Sequence, residues 1–183
     1  MRSADAITLF RTALMFVIVY WILIKFNPLY TILLIAIMFI LDAVDGMFAK
    51  MDLKKYKSKS KYGPRLDVGS DRAIEYIFWI TYVYLAIVPL FVLFIVVLRH
   101  SFVDAFMGAK GTSSKLKTKF AKVIYASSIF RGGINVVKAV TFSYLALVYI
   151  ANWPANIGNA LTAILVIYIL VRGAAEIWEA FAA

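Results

Sequence analysis

Runs of about 20 apolar residues constrain this chain most, because a helix of that length crosses the hydrocarbon core of a bilayer. The first run extends from about Ile7 to Phe26, with Arg11 near its start, and stops at Asn27-Pro28. A second extends from about Leu29 to Ala49. The stretch from Leu66 to Met107 is long enough for two helices joined near Val88-Pro89. A fifth helix reaches Ile150, loosened at Gly132-Gly133, and a sixth runs from about Ile157 to Trp178 after the turn Asn152-Trp153-Pro154. With 63% hydrophobic and 16% charged residues, the chain cannot clothe a water-facing surface in polar groups. Residues 1–183 therefore read as a single all-α integral membrane domain.

Charge placement orients the helices. Lysines crowd the stretch from Lys50 to Arg65 and the loop around Lys115. Six spans place the N-terminus, both lysine-rich loops and the C-terminus on one side. The opposite connections, near Asn27-Pro28, Pro89 and Asn152, carry almost no charge beyond Lys25. Basic loops mark the cytoplasmic face, so both termini are expected there in a multi-pass protein of the cell membrane. A five-helix reading would put the loop around Lys115 outside, against that rule. The formal net charge of +10 then reflects topology and contact with anionic headgroups rather than nucleic acid. The first apolar run lacks a small-residue cleavage site and reads as a retained helix. Cysteine is absent and histidine occurs once, at His100, so any metal is held by oxygen, which favours Mg²⁺, Mn²⁺ or Ca²⁺.

Four aspartates supply that oxygen. Asp42 and Asp45 lie three apart near the cytoplasmic end of the second helix, and Asp67 and Asp71 lie four apart at the start of the third. Each pair shares a helical face. Consecutive antiparallel helices bring the pairs to one depth, where mutual repulsion and desolvation call for a cation. Two metals sharing these carboxylates could clamp a pyrophosphate. Gly46 leaves room for a ligand to approach the backbone or for close helix packing.

Asp42-Ala-Val-Asp45-Gly46-Met-Phe-Ala49-Lys50, followed by Gly63-Pro-Arg-Leu-Asp67-Val-Gly-Ser-Asp71, resembles the signature of the CDP-alcohol phosphotransferases, D-x-x-D-G-x-x-A-R and then G-x-x-x-D-x-x-x-D. The six-helix pattern is similar to that family's architecture. Lys50 stands where the family has arginine, keeping the charge without the planar fork. The spacer before Gly63 is longer than the family's. Asp5-Ala-Ile-Thr8-Leu-Phe-Arg11 resembles the family's N-x-x-T-x-x-R opening, and Ser114-Lys115-Leu-Lys117-Thr118 its G-K-x-K-T segment. The resemblance implies transfer of a substituted phosphate group from a CDP-alcohol to an alcohol, with release of CMP, in phospholipid biosynthesis. It implies two Mg²⁺ or Mn²⁺ ions at Asp42, Asp45, Asp67 and Asp71, with Asp71 also the general base. It implies a nucleotide site of Asp42, Asp45, Gly46, Ala49, Lys50, Gly63 and Asp67, and a homodimer.

For the acceptor, Lys115, Arg131, Lys138 and Arg172 are the candidate phosphate-binding cations. Cations at membrane depth face a polar cavity or a partner, and this clustering suggests an anionic acceptor, for example a sugar or polyol phosphate, or an anionic donor tail. The resemblance to inositol-phosphate-using members of the family implies a phosphorylated polyol such as inositol phosphate or glycerol phosphate. Arg99 and Lys138 are equally suited to snorkelling into headgroups. His100 reads as an interfacial residue. Glu75 reads as a fifth carboxylate of the site or a partner of Arg72 or Arg11. An aspartate-rich prenyltransferase and a cation transporter are the competing readings. The first would place its motifs in two separate halves of the chain, and the second would need polar groups across the whole membrane depth.

Overall fold

The computed structural model describes residues 3–56, 62–107 and 128–181. All of the regular structure among them is helical: α1 (Ser3–Leu23), α2 (Pro28–Tyr56), α3 (Gly63–Tyr84), α4 (Leu90–Met107), α5 (Ser128–Ala151) and α6 (Ala155–Phe181). The two helices expected between Leu66 and Met107 are both present. Two expectations are corrected. α2 continues seven residues past Ala49 to Tyr56, and α3 begins at Gly63, so much of the anticipated Lys50–Arg65 loop is helical. α5 runs unbroken through Gly132-Gly133.

The helix ends have local causes. Lys25 and Ala86 adopt left-handed backbone conformations, with φ of 52° and 55°. After each, an amide reaches back five residues: Phe26 N–H to the Trp21 carbonyl at 2.8 Å and Ile87 N–H to the Tyr82 carbonyl at 3.0 Å. This is the closing turn of a helix whose last carbonyls need donors. It falls two or three residues before Pro28 and Pro89, which cannot continue a helix. Asn27 then caps α2, its side-chain oxygen accepting from Leu29 N–H at 3.0 Å, with Pro28 in the first helical position. Asn152, with φ 54°, ends α5.

α1 packs on α2 and α3, α2 on α5, α3 on α4, and α6 on both α4 and α5. Met15, Ile18 and Ile22 of α1 meet Ile35 and Met38 of α2 in the core. Phe142 of α5 stacks on Phe78 at 4.9 Å and takes the edge of Trp79 at 5.1 Å between ring centres. The Tyr82 hydroxyl donates to the Phe142 carbonyl at 2.5 Å. Large apolar side chains such as Phe16, Leu29, Phe91 and Ile167 cover the outside. Ser3–Leu23, Gly133–Ala151 and Ala155–Glu179 are long and apolar enough to cross a membrane, and Pro28–Val44 forms a shorter apolar stretch.

Lipid tails are as apolar as leucine, so packing rather than water exclusion holds such helices together. Phe142→Ala therefore opens a cavity where three helices meet, and the loss is set by its unfilled volume. The apparent Tm in detergent should fall by about 5–10 °C. Tyr84→Ala, at a side chain 79% exposed, should leave it within a degree or two. Equal shifts would place the packing centre elsewhere.

Candidate active site: a carboxylate cluster beside a basic cavity

Asp42 near the middle of α2 and Asp67 and Asp71 at the start of α3 converge as the spacing requires. One carboxylate oxygen from each lies within 4.8 Å of the others. The side chains of Asp45, Gly46, Ala49 and Lys50 lie outside the described residues, although all four positions fall on α2. Gly63 opens α3, one turn before Asp67.

Arg11 of α1 enters the middle of the cluster. Its side chain is 3% exposed, and its guanidinium pairs with Asp42, donates to Asp71 Oδ1 at 2.5 Å and stands 3.6 Å from Asp67 Oδ1. Thr12 of α1 shares a hydrogen bond with Ser70 of α3, whose hydroxyl also donates to the Thr8 carbonyl at 3.5 Å. These contacts fix α1 against α3 and hold Arg11 at that depth. Asn135 of α5 donates its amide N–H to Asp42. Asp42 is thus gripped from two helices. The cluster is oxygen-only, it has drawn in a cation, and two of its three carboxylates remain half open, at 49% and 46% side-chain exposure. Those properties fit a hard divalent ion such as Mg²⁺, which keeps part of its water and bridges to phosphate.

Behind Asp71 lies a cavity of about 250 Å³. Arg72, Arg99, Lys138 and Arg172 line it, against the carboxylates of Asp71 and Glu176. A second, smaller cavity of about 30 Å³ reaches Arg11 and Asp42, and Asp71, Asn135 and Lys138 line both. Ion pairs set the cations. Lys138 Nζ donates to Glu75 Oε2 at 2.5 Å, and His100 Nε2 lies 3.6 Å from the same oxygen. Arg99 donates to Glu176 at 2.7 Å, with Arg172 Nε 3.5 Å from the other oxygen. Arg72 donates to Asp104 at 3.1 Å.

Lys138 and Arg172 reach the cavity as expected from sequence. Lys115 and the side chain of Arg131 lie outside the described residues. Glu75 lines the smaller cavity with Asp42 and Asp71, and it pairs with Lys138 and His100 instead of Arg72 or Arg11. His100 is not interfacial: it is 1% exposed and lines the cavity, because α4 turns this face toward Tyr76 and Glu75. Arg99 likewise faces inward rather than toward headgroups. Asn135 and Glu176 were not singled out from sequence. Their signals were present, since Asn135 sits three residues before Lys138 and Glu176 four after Arg172 on otherwise apolar helices.

A sequence model of the family described as CDP-alcohol phosphatidyltransferase matches residues 1–181. The chain belongs to the CDP-alcohol phosphatidyltransferase family. No curated protein matches it at significant similarity. Membership makes the chain a transferase class member whose family uses CDP-alcohol donors and alcohol acceptors. Asp42, Asp67 and Asp71, the signature aspartates whose side chains are described, meet in space.

The Glu75–Lys138 pair is buried at 2% and 15% exposure, so removing one partner strands a charge. Glu75→Ala should cost about 3–5 kcal/mol, whereas the paired change Glu75→Gln with Lys138→Met should cost far less. Thermal unfolding of the three proteins in detergent measures both. Similar losses in single and double variants would show that charge compensation is not what the pair contributes.

Proposed function

We propose that the chain transfers a substituted phosphate group from a CDP-linked lipid to the hydroxyl of a phosphorylated polyol, releasing CMP. The observation that carries this reading is Asp71: one carboxylate borders both the acidic cluster and the basic cavity. A donor pyrophosphate belongs with the cluster and an anionic acceptor with the cations, so the two substrates would meet at Asp71.

Asp42, Asp45, Asp67 and Asp71 would hold two Mg²⁺ or Mn²⁺ ions, which supply charge neutralisation for the pyrophosphate when bound. Gly46, Ala49 and Gly63 would admit the cytidine, and Lys50 would contact the donor phosphate. Lys115, Arg131, Lys138 and Arg172 would bind the acceptor phosphate. Asp71 takes the acceptor hydroxyl proton as the oxygen attacks phosphorus. The phosphorus–oxygen bond to CMP breaks, and CMP leaves with the electron pair. Such transfer depends mainly on positioning and electrostatics. Arg11 compensates the aspartates and would yield Asp71 as the metals and donor arrive.

The same reading takes all six helices across the cell membrane, with both termini, the lysine-rich loops and the reaction on the cytoplasmic side. Apolar helix surfaces and the charge asymmetry of the loops support it. The family resemblance supports a homodimer.

The deciding assay is CMP release by purified protein with Mg²⁺, paired CDP-alcohols and candidate acceptors. Release from no donor, with activity on a prenyl pyrophosphate instead, would overturn the assignment. Asp71→Asn should abolish turnover while the protein remains folded, and near-wild-type turnover would remove Asp71 from the base role. Asn135→Ala frees one side of Asp42 and should weaken Mn²⁺ binding, read by electron paramagnetic resonance, by about tenfold or more. Unaltered Mn²⁺ affinity would leave Asn135 as packing alone.

A further inference from the structure

We infer that Arg99 is a specificity-determining residue of the basic cavity, seated to receive the anionic group of the acceptor. This rests on the acceptor half of the proposed reaction. Arg99 comes from α4, an element that contributes nothing to the aspartate signature. It is 8% exposed, yet it lines the cavity.

Two features of α6 build its seat. A Cβ at Gly173 would lie 2.7 Å from Arg99 Nε and 2.8 Å from its Cγ. Any side chain at Gly173 would force the arginine stem to shift from where it crosses α6. One turn beyond Arg172, Glu176 then takes the guanidinium at 2.7 Å and holds Arg172 Nε at 3.5 Å. A single carboxylate thereby draws two guanidinium groups from two helices to one wall of the cavity.

A simple tie between α4 and α6 would not need this arrangement. Well-packed apolar residues replace a buried ion pair at little or no cost. A tie also gains nothing from facing a cavity. Four cations and two carboxylates line this one, an excess of positive charge that a phosphate monoester, carrying close to two negative charges, would offset. Beside Arg99, His100 also lines the cavity, with its Nε2 turned to Glu75. The wall formed by Arg99 and Arg172 therefore selects an acceptor with its alcohol at Asp71 and its phosphate at the guanidinium pair, and discriminates against the neutral polyol.

Arg99→Ala alone would leave Glu176 only its 3.5 Å contact with Arg172 Nε, so the informative variant is Arg99→Met with Glu176→Gln, which removes both charges at similar volume. Inorganic phosphate should raise the apparent Tm of the wild type in detergent and not that of the double variant. In the CMP-release assay with glycerol 3-phosphate as acceptor probe, the double variant should show an acceptor KM higher by about tenfold or more. Its donor KM and folded yield should hold. Gly173→Ala, which pushes the arginine stem aside, should raise the acceptor KM in the same direction. Phosphate protection that is equal in the two proteins, or absent in both, overturns the role of Arg99. So does CMP release by the folded double variant with acceptor KM unchanged, and that result leaves the reaction assignment standing. No CMP release from any protein, with phosphate protection lost only in the double variant, overturns the reaction assignment and leaves the anion site standing.

Discussion

Carboxylates brought together in a weakly polar setting must be given positive charge, and Arg11 is how this chain meets that requirement. Three aspartates from two helices share the guanidinium of a third. Asp42, with a side chain 18% exposed, would be the costliest to leave uncompensated, whereas Asp67 and Asp71 keep part of their water. The demand reaches further, because Asn135 closes on Asp42 from α5. Four of the six described helices are thereby fixed at one point, and their relative depth follows from it.

The remaining charges repeat the pattern. Glu75 and Lys138 join α3 to α5, Arg72 and Asp104 join α3 to α4, and Arg99 and Glu176 join α4 to α6. The bundle thus has two regions with different physics. One end is tied by ion pairs around cavities. The other is filled by Phe78, Trp79, Tyr82 and Phe142, with closing turns whose backbone satisfies its own hydrogen bonds. Aromatic packing supplies a rigid frame, and the polar end can then carry groups that a lipid-facing surface would not tolerate.

Much of this was legible in the chain. Apolar runs and prolines located six helices, and the i,i+3 and i,i+4 aspartates located the cluster. The misreadings share a cause. From sequence His100 reads as interfacial and Arg99 as suited to headgroups or a cavity, because position along a helix says how deep a residue lies but not which way it faces. Facing depends on helix rotation, set by packing among α3, α4 and α6, and a uniformly apolar helix carries little periodic signal for it. α2 outlasted its apolar run because lysines are good helix formers and hydropathy marks where lipid ends, not where a helix ends. Gly132-Gly133 did not loosen α5, since glycine is tolerated within packed membrane helices.

Placing an acidic cluster against a basic cavity has a consequence for selectivity of reaction. Opposite charges at short range would collapse onto each other if their side chains were free to move. Here each set has its own internal partner: Arg11 for the aspartates, Glu75 and Glu176 for Lys138, Arg99 and Arg172. Part of the charge in each set is consequently compensated by a built-in partner. An incoming anion must then displace or share a specific carboxylate, which favours ligands that supply matching geometry over those that supply charge alone. Of the three described aspartates of the cluster, Asp71 is the one that borders both cavities, so it couples the acidic set to the basic one.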